Sequence, residues 1–297
     1  MLKADFLENK NTEAFCDWLS QIIDGSTRLD FMHSSNGKDE TLESAKKRYC
    51  WPHKRIDIPT PNGTRTLQNS NLSDNQSVLS ELSNGLRNCL NKPVPDEELL
   101  KQWIQAILVW GGVYTGTRTG KGNRPWLEGL RDQQKLSDYL KHTLNTLAAS
   151  NCDDAHRGLP DLRSNAGLTK VYSLSLTDFI IYDSRVAAAL AWLVSRWSGD
   201  NHQLPPEHLR FACMRANTNS KNKPRSPNEE IFPYFAASGH IRNHYKHATW
   251  NIRANWVLRK SLDIAVERNG KKPLTAFHSL RELEAALFMM GENLKFA

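Results

Sequence analysis

The chain has 297 residues, 39% of them hydrophobic and nine of them Trp; this is material for a substantial core, in one large domain or two lobes, and it excludes wholesale disorder. Lys and Arg outnumber Asp and Glu by 39 to 32, a formal charge of +7, and this modest excess favours a polyanionic partner. The five cysteines, odd in number and with no C-x-x-C pair, exclude the common zinc and redox motifs and fit reduced thiols in a cytosol.

The first eight residues hold no uninterrupted apolar run, and no stretch approaches the ~20 apolar residues of a membrane span, so a cytoplasmic protein with no membrane partner is expected. Apolar positions at Phe6, Phe15, Trp18, Leu19, Ile22 and Ile23 predict an amphipathic helix ending at Gly25. From about residue 33 to 76 the composition turns polar around a basic aromatic island, Lys46 to Arg55, and this part reads as irregular and exposed.

Asp96-Glu97-Glu98 load the first turn of a helix carrying Leu99, Leu100, Trp103, Ile104, Ile107, Leu108 and Trp110, which Gly111-Gly112 ends. A loop follows from Thr115 to Pro125, then helical spacing through Leu127, Leu136, Leu140 and Leu147, then a break over 150–165. Val186 to Val194 is apolar on every side and predicts a buried helix. Two more helices run through Trp250 to Ile264 and Leu280 to Met290. With no repeat and little period-two alternation, the expected fold is all-α or nearly so. The division expected along the chain is an N-terminal helix and irregular basic region over 1–95 and a helical core over 96–297.

The glycine-rich loop fails as a phosphate loop. A Walker motif ending at Gly120-Lys121 needs Gly at 115 and Ser or Thr at 122, and the chain has Thr115 and Gly122. What remains is a loop whose Arg118, Lys121 and Arg124 suit nonspecific phosphate contact, or simply a solvated loop. His240, His244 and His247 recur at i, i+4 and i+7, but with no acidic residue at a familiar offset they read as a basic face rather than a metal site.

The informative segment is 165–187: a turn Asn165-Ala166-Gly167-Leu168-Thr169, then Lys170, an apolar link Phe179-Ile180-Ile181-Tyr182, and Asp183-Ser184 heading the apolar helix. In order and character it resembles the catalytic core of the helix-hairpin-helix DNA glycosylases, in the branch similar to 8-oxoguanine DNA glycosylase. Two departures are plain: one glycine in the turn where the family has two, and a shorter Lys-to-Asp spacing. By element order the resemblance extends over residues 100 to 297, while its specific part is this one segment.

The resemblance implies a two-lobed helical fold with its active site in a cleft between lobes, acting as a monomer on DNA that carries a damaged or modified base, with no metal or cofactor. It implies that the turn, with Gly167 and Thr169, grips a phosphate through main-chain N–H groups. Glycosidic cleavage builds positive charge on the sugar, so a carboxylate beside the anomeric carbon lowers the barrier, and Asp183 suits that task. A buried lysine can instead attack the sugar carbon and form a Schiff base, and Lys170 is the positioned candidate. Trp110 and Tyr114 are candidates for stacking on a flipped base. Each has a plainer alternative: Asp183 as an N-cap, Lys170 as a solvated lysine, Trp110 as core. Repair and antiphage defence both fit the implied activity. A noncatalytic DNA-binding or defence module that keeps the fold stays open, as does, more weakly, an RNA-binding protein.

Overall fold

The computed structural model describes residues 1–33, 37–113, 122–149, 151, 159, 161–215, 225–236 and 241–296. Its first elements are α1 (Lys3–Leu7), α2 (Lys10–Ile23), β1 (Phe31–Met32), β2 (Lys38–Asp39), α3 (Leu42–Lys47), β3 (Ile56–Thr60), β4 (Gly63–Leu67) and α4 (Leu72–Leu90). There follow α5 (Glu97–Trp110), α6 (Asn123–Asp132), α7 (Leu136–Ala148), α8 (Leu168–Ser175), α9 (Ser184–Asp200), α10 (Ile241–Arg268) and α11 (Leu280–Met290). The described chain is mostly helical, its strands confined to the antiparallel pairs β1–β2 and β3–β4. Among the described residues no helix is long and apolar enough to cross a membrane.

The chain forms two compact units. The first comprises Met1–Arg48, Ser150–Asn165 and Asp178–Ala297; the second comprises Tyr49–Ala149 and Ala166–Thr177.

In the first unit α2 buries Phe15, Cys16, Leu19, Ile22 and Ile23 and packs on α10 and α9, while α11 packs on α3 and α9. Phe15 meets the ring of Trp197 edge-on at 5.5 Å. The run that is apolar all round behaves as its composition requires: Val186 to Leu190, Leu193 and Val194 are buried along α9. Arg268, at the end of α10, bridges Asp17 and Asp24 of the α2 region at 2.9 and 2.7 Å.

In the second unit α5 is the central element, touching α4, α6, α7, α8 and β3. Asp96 caps it through Leu99 N–H. The neighbouring Glu97 turns inward, and its carboxylate accepts the N–H groups of Leu136 and Ser137 at 2.8 and 3.0 Å, capping α7. Gly85 of α4 lies flat against the Trp103 ring of α5, where any side chain would collide with the indole.

The stretch over 33–76 is more ordered than its composition suggests. It holds β2, α3, the β3–β4 hairpin and the start of α4. Ile58 is fully buried on a strand that packs against α5; the hairpin turns through Pro61-Asn62, and Gly63, which pairs with Thr60 as the first residue of β4, has φ +122°, a backbone conformation that only glycine adopts freely.

Candidate active site

Asp183 is the N-cap of α9. Its backbone is extended, and Oδ1 accepts the N–H groups of Arg185 and Val186 at 2.9 and 3.1 Å. That much is ordinary capping chemistry. The link that delivers it is not ordinary. Phe179, Ile180, Ile181 and Tyr182 are all buried, outside any helix or strand, so their backbone groups need partners that neither a ladder nor water supplies.

Side chains of α10 and α11 supply those partners. Ile180 N–H donates to Asn255 Oδ1 at 2.7 Å, and Asn251 Nδ2 donates to the Ile180 carbonyl at 3.1 Å. Ile181 N–H donates to Glu284 Oε2 at 2.7 Å, and His247 Nε2 meets the Tyr182 carbonyl at 2.9 Å. A carbonyl only accepts, so His247 Nε2 carries a proton, and in the neutral ring Nδ1 accepts from Ser164 Oγ at 2.8 Å. The Tyr182 hydroxyl donates to the Ala212 carbonyl at 2.7 Å. His247, Asn251 and Asn255 lie four residues apart, one stripe of α10 turned to the link.

Glu284 is held in turn by Arg281, whose Nη1 donates to both carboxylate oxygens at 2.7 and 2.6 Å. Burial pushes the Glu284 carboxyl above the usual range, Arg281 and the Ile181 amide pull it back, and the charge of Asp183 pushes it up again. Positive groups are also close to Asp183. Burial and the adjacent Arg185 push the Arg225 guanidinium below its usual range, against the pull of Asp183 and Glu292. Arg185 Nη2 bonds Glu292 at 3.2 Å, and its guanidinium lies over the Phe288 ring at 4.3 Å. Arg225 Nε and Arg185 Nη1 are buried with no hydrogen-bond partner.

Lys170 belongs to the second unit. It stands in the first turn of α8, 8% exposed, its Nζ donating to the Ala166 carbonyl at 2.7 Å. The stem runs over Gly111, where a Cβ would collide with Lys170 Cδ. It is therefore a buried lysine and not a solvated one. Gly167 is the N-cap of α8 at φ −83°, and Thr169 is fully buried, so its hydroxyl faces protein. Residues 161–165, ahead of the turn, are not helical; among the described residues the turn is followed by a helix and preceded by irregular chain.

Of the other sequence candidates, Tyr114, Arg118 and Lys121 lie outside the described residues, as do His240 and Cys152. Arg124 sits in α6, paired with Glu128 at 2.8 Å. Trp110 is buried and donates its indole N–H to Asn75 Oδ1 at 2.9 Å, while its carbonyl accepts from Trp51; this is the core role and not an open stacking face. The expected basic histidine face is corrected. His247 is 3% exposed and spent on Tyr182 and Ser164, and half-buried His244 donates Nδ1–H to the Ser164 carbonyl at 2.7 Å. Among the described residues no group of three or more His, Cys, Asp or Glu is placed to hold a metal ion.

Burial lowers His244, with Arg163 adding to the effect against the Ser164 carbonyl, and burial together with Arg253 lowers His208. A histidine shifted down in the folded state binds protons less readily than in the unfolded chain, whose value is ~6.5. The stability it contributes is complete above that value and is lost as pH falls through it. Melting temperature is therefore expected to drop between about pH 7.5 and about pH 5, and His244→Gln should flatten the profile. Glu284, shifted upward, acts in the opposite sense nearer the carboxylate range. Parallel profiles for wild type and His244→Gln would show that His244 does not titrate with unfolding.

No protein-family model, curated protein or solved structure matches the chain.

Proposed function

We propose that this protein is a DNA N-glycosylase with a fold of the helix-hairpin-helix glycosylase type, and that Asp183 is its catalytic carboxylate. The observation that carries the reading is the anchoring of the link. An N-cap is worth ~1 kcal/mol and asks only for a short polar side chain in extended backbone, yet four buried side chains fix the three residues ahead of Asp183. Such over-determination is what electrostatic catalysis demands, because a carboxylate stabilises a cationic sugar only if it is held in place before the charge develops.

In the proposed reaction the target nucleotide is extruded from the helix and the base leaves C1′ with the bonding electron pair. The resulting oxocarbenium-like sugar is stabilised by Asp183, and water adds to C1′ and loses its proton. Arg185 and Arg225 place positive charge beside the carboxylate, the sign a phosphodiester requires. Lys170 is proposed as an alternative nucleophile, which would add strand cleavage. A noncatalytic DNA-binding module is favoured by one observation, that Asp183 Oδ1 is already engaged by two amides.

The deciding experiment incubates the protein with duplexes carrying oxidised, alkylated, deaminated or hypermodified bases and measures released base and alkali-sensitive sites. Release from at least one duplex is the expected result. DNA binding without release from any of them would favour the noncatalytic module.

A further inference from the structure

We propose that α11 sets the position of Asp183, with Glu284 and Gly291 as positioning residues on either side of it. On the near side, Glu284 Oε2 takes the N–H of Ile181, two residues before Asp183. On the far side, Gly291, the C-cap of α11, rests directly on the backbone of Arg185, two residues after Asp183, and a Cβ there would collide with the Arg185 carbonyl carbon and oxygen. Its φ is −73°, open to any residue, so the position demands space and not a special conformation.

The same helix secures the Arg185 side chain through Phe288 and, just past the C-cap, Glu292. One rigid element thus grips the chain at both flanks of the carboxylate. The α10 stripe holds only the near flank, at Ile180 and Tyr182. A shift of α11 along its axis would turn the Asp183 cap as well as the link. Glu284 acts through the backbone and Gly291 through contact, so neither needs to touch DNA.

The proposal rests on the glycosylase reading only for its activity arm. Its primary readout is amide hydrogen exchange at Ile181, Arg185 and Val186 in the folded protein. In Glu284→Ala and Gly291→Ala, exchange at Arg185 and Val186 should quicken about tenfold or more, because the cap they donate to is no longer held. Glu284→Gln retains a carbonyl acceptor for Ile181 and should stay within about threefold of wild type. Gly199→Ala, in the same α9 but with open space around it, is the control and should change nothing. Should Gly291→Ala fail to fold, the contrast between Glu284→Ala and Glu284→Gln decides. Wild-type exchange at Arg185 and Val186 in folded Glu284→Ala would overturn the proposal. Where base release is measurable, kcat should fall with KM unchanged. Absence of base release in the wild type would sink the glycosylase reading and leave the exchange result standing.

Discussion

Asp183→Asn is expected to abolish most base release while leaving the fold intact. Asparagine caps a helix about as well as aspartate, and its Oδ1 can accept from Arg185 and Val186 as the carboxylate does. The change removes the charge that balances the cationic sugar, and losing one aligned electrostatic contact of this kind costs roughly 10²–10³ in rate. DNA binding should persist or tighten, because a negative group near the phosphates is gone. Asp183→Ala should lose the same activity together with ~1 kcal/mol of stability. Single-turnover release and thermal melts on the three proteins separate the two effects. Wild-type release by Asp183→Asn would leave the residue a cap and remove the central group of the mechanism.

The second large effect is all-or-none: borohydride should trap a covalent protein–DNA adduct in the wild type and none in Lys170→Gln. The step requires Nζ to give up a proton, attack C1′ and expel the base with its bonding pair. Opening of the sugar ring at C1′ then yields an iminium that hydride reduces to a stable amine. Lys170 is buried, with its stem over Gly111, so its amine is held in a fixed place rather than free in solvent. Glutamine is the suitable replacement because its amide can still donate to the Ala166 carbonyl that Lys170 holds. Base release without any adduct would make the enzyme monofunctional and confine Lys170 to securing the turn.

What could be read from the sequence follows the range of the interactions involved. The apolar run of α9 and its Asp183 cap are local patterns, and the structure shows both. The α5 helix was legible from Asp96 to Gly111, but Glu97 was read only as first-turn charge. Its actual partners, Leu136 and Ser137, lie some forty residues away, and no local rule points there. The anchoring of the link was invisible for the same reason. His247, Asn251 and Asn255 look like polar surface residues until the backbone of 180–182 is placed against them. Their four-residue spacing marks one face of a helix, but of the three only His247 enters the sequence reading, as part of a basic face with His240 and His244. The hairpin is not legible because only Ile58 on β3 and Leu67 on β4 are buried, so the period-two pattern has almost nothing to alternate, and the loop that closes it is Pro61-Asn62 rather than an Asn-Gly pair.

The path of the chain through the two units sets an order of events during synthesis. The second unit draws on residues 49–149 and 166–177, whereas the first needs both the opening 48 residues and everything after 178. Partners of the second unit therefore leave the ribosome close together, and those contacts can form early. Helix α2 must wait for α10, more than 200 residues later, holding Phe15, Leu19 and Ile22 exposed in the interval. Contacts of such long sequence separation form slowly, and waiting apolar surface invites association with other chains. Expression at reduced temperature or with added chaperone should accordingly raise soluble yield, and a circular permutant that places residues 1–48 after 297 should depend less on either.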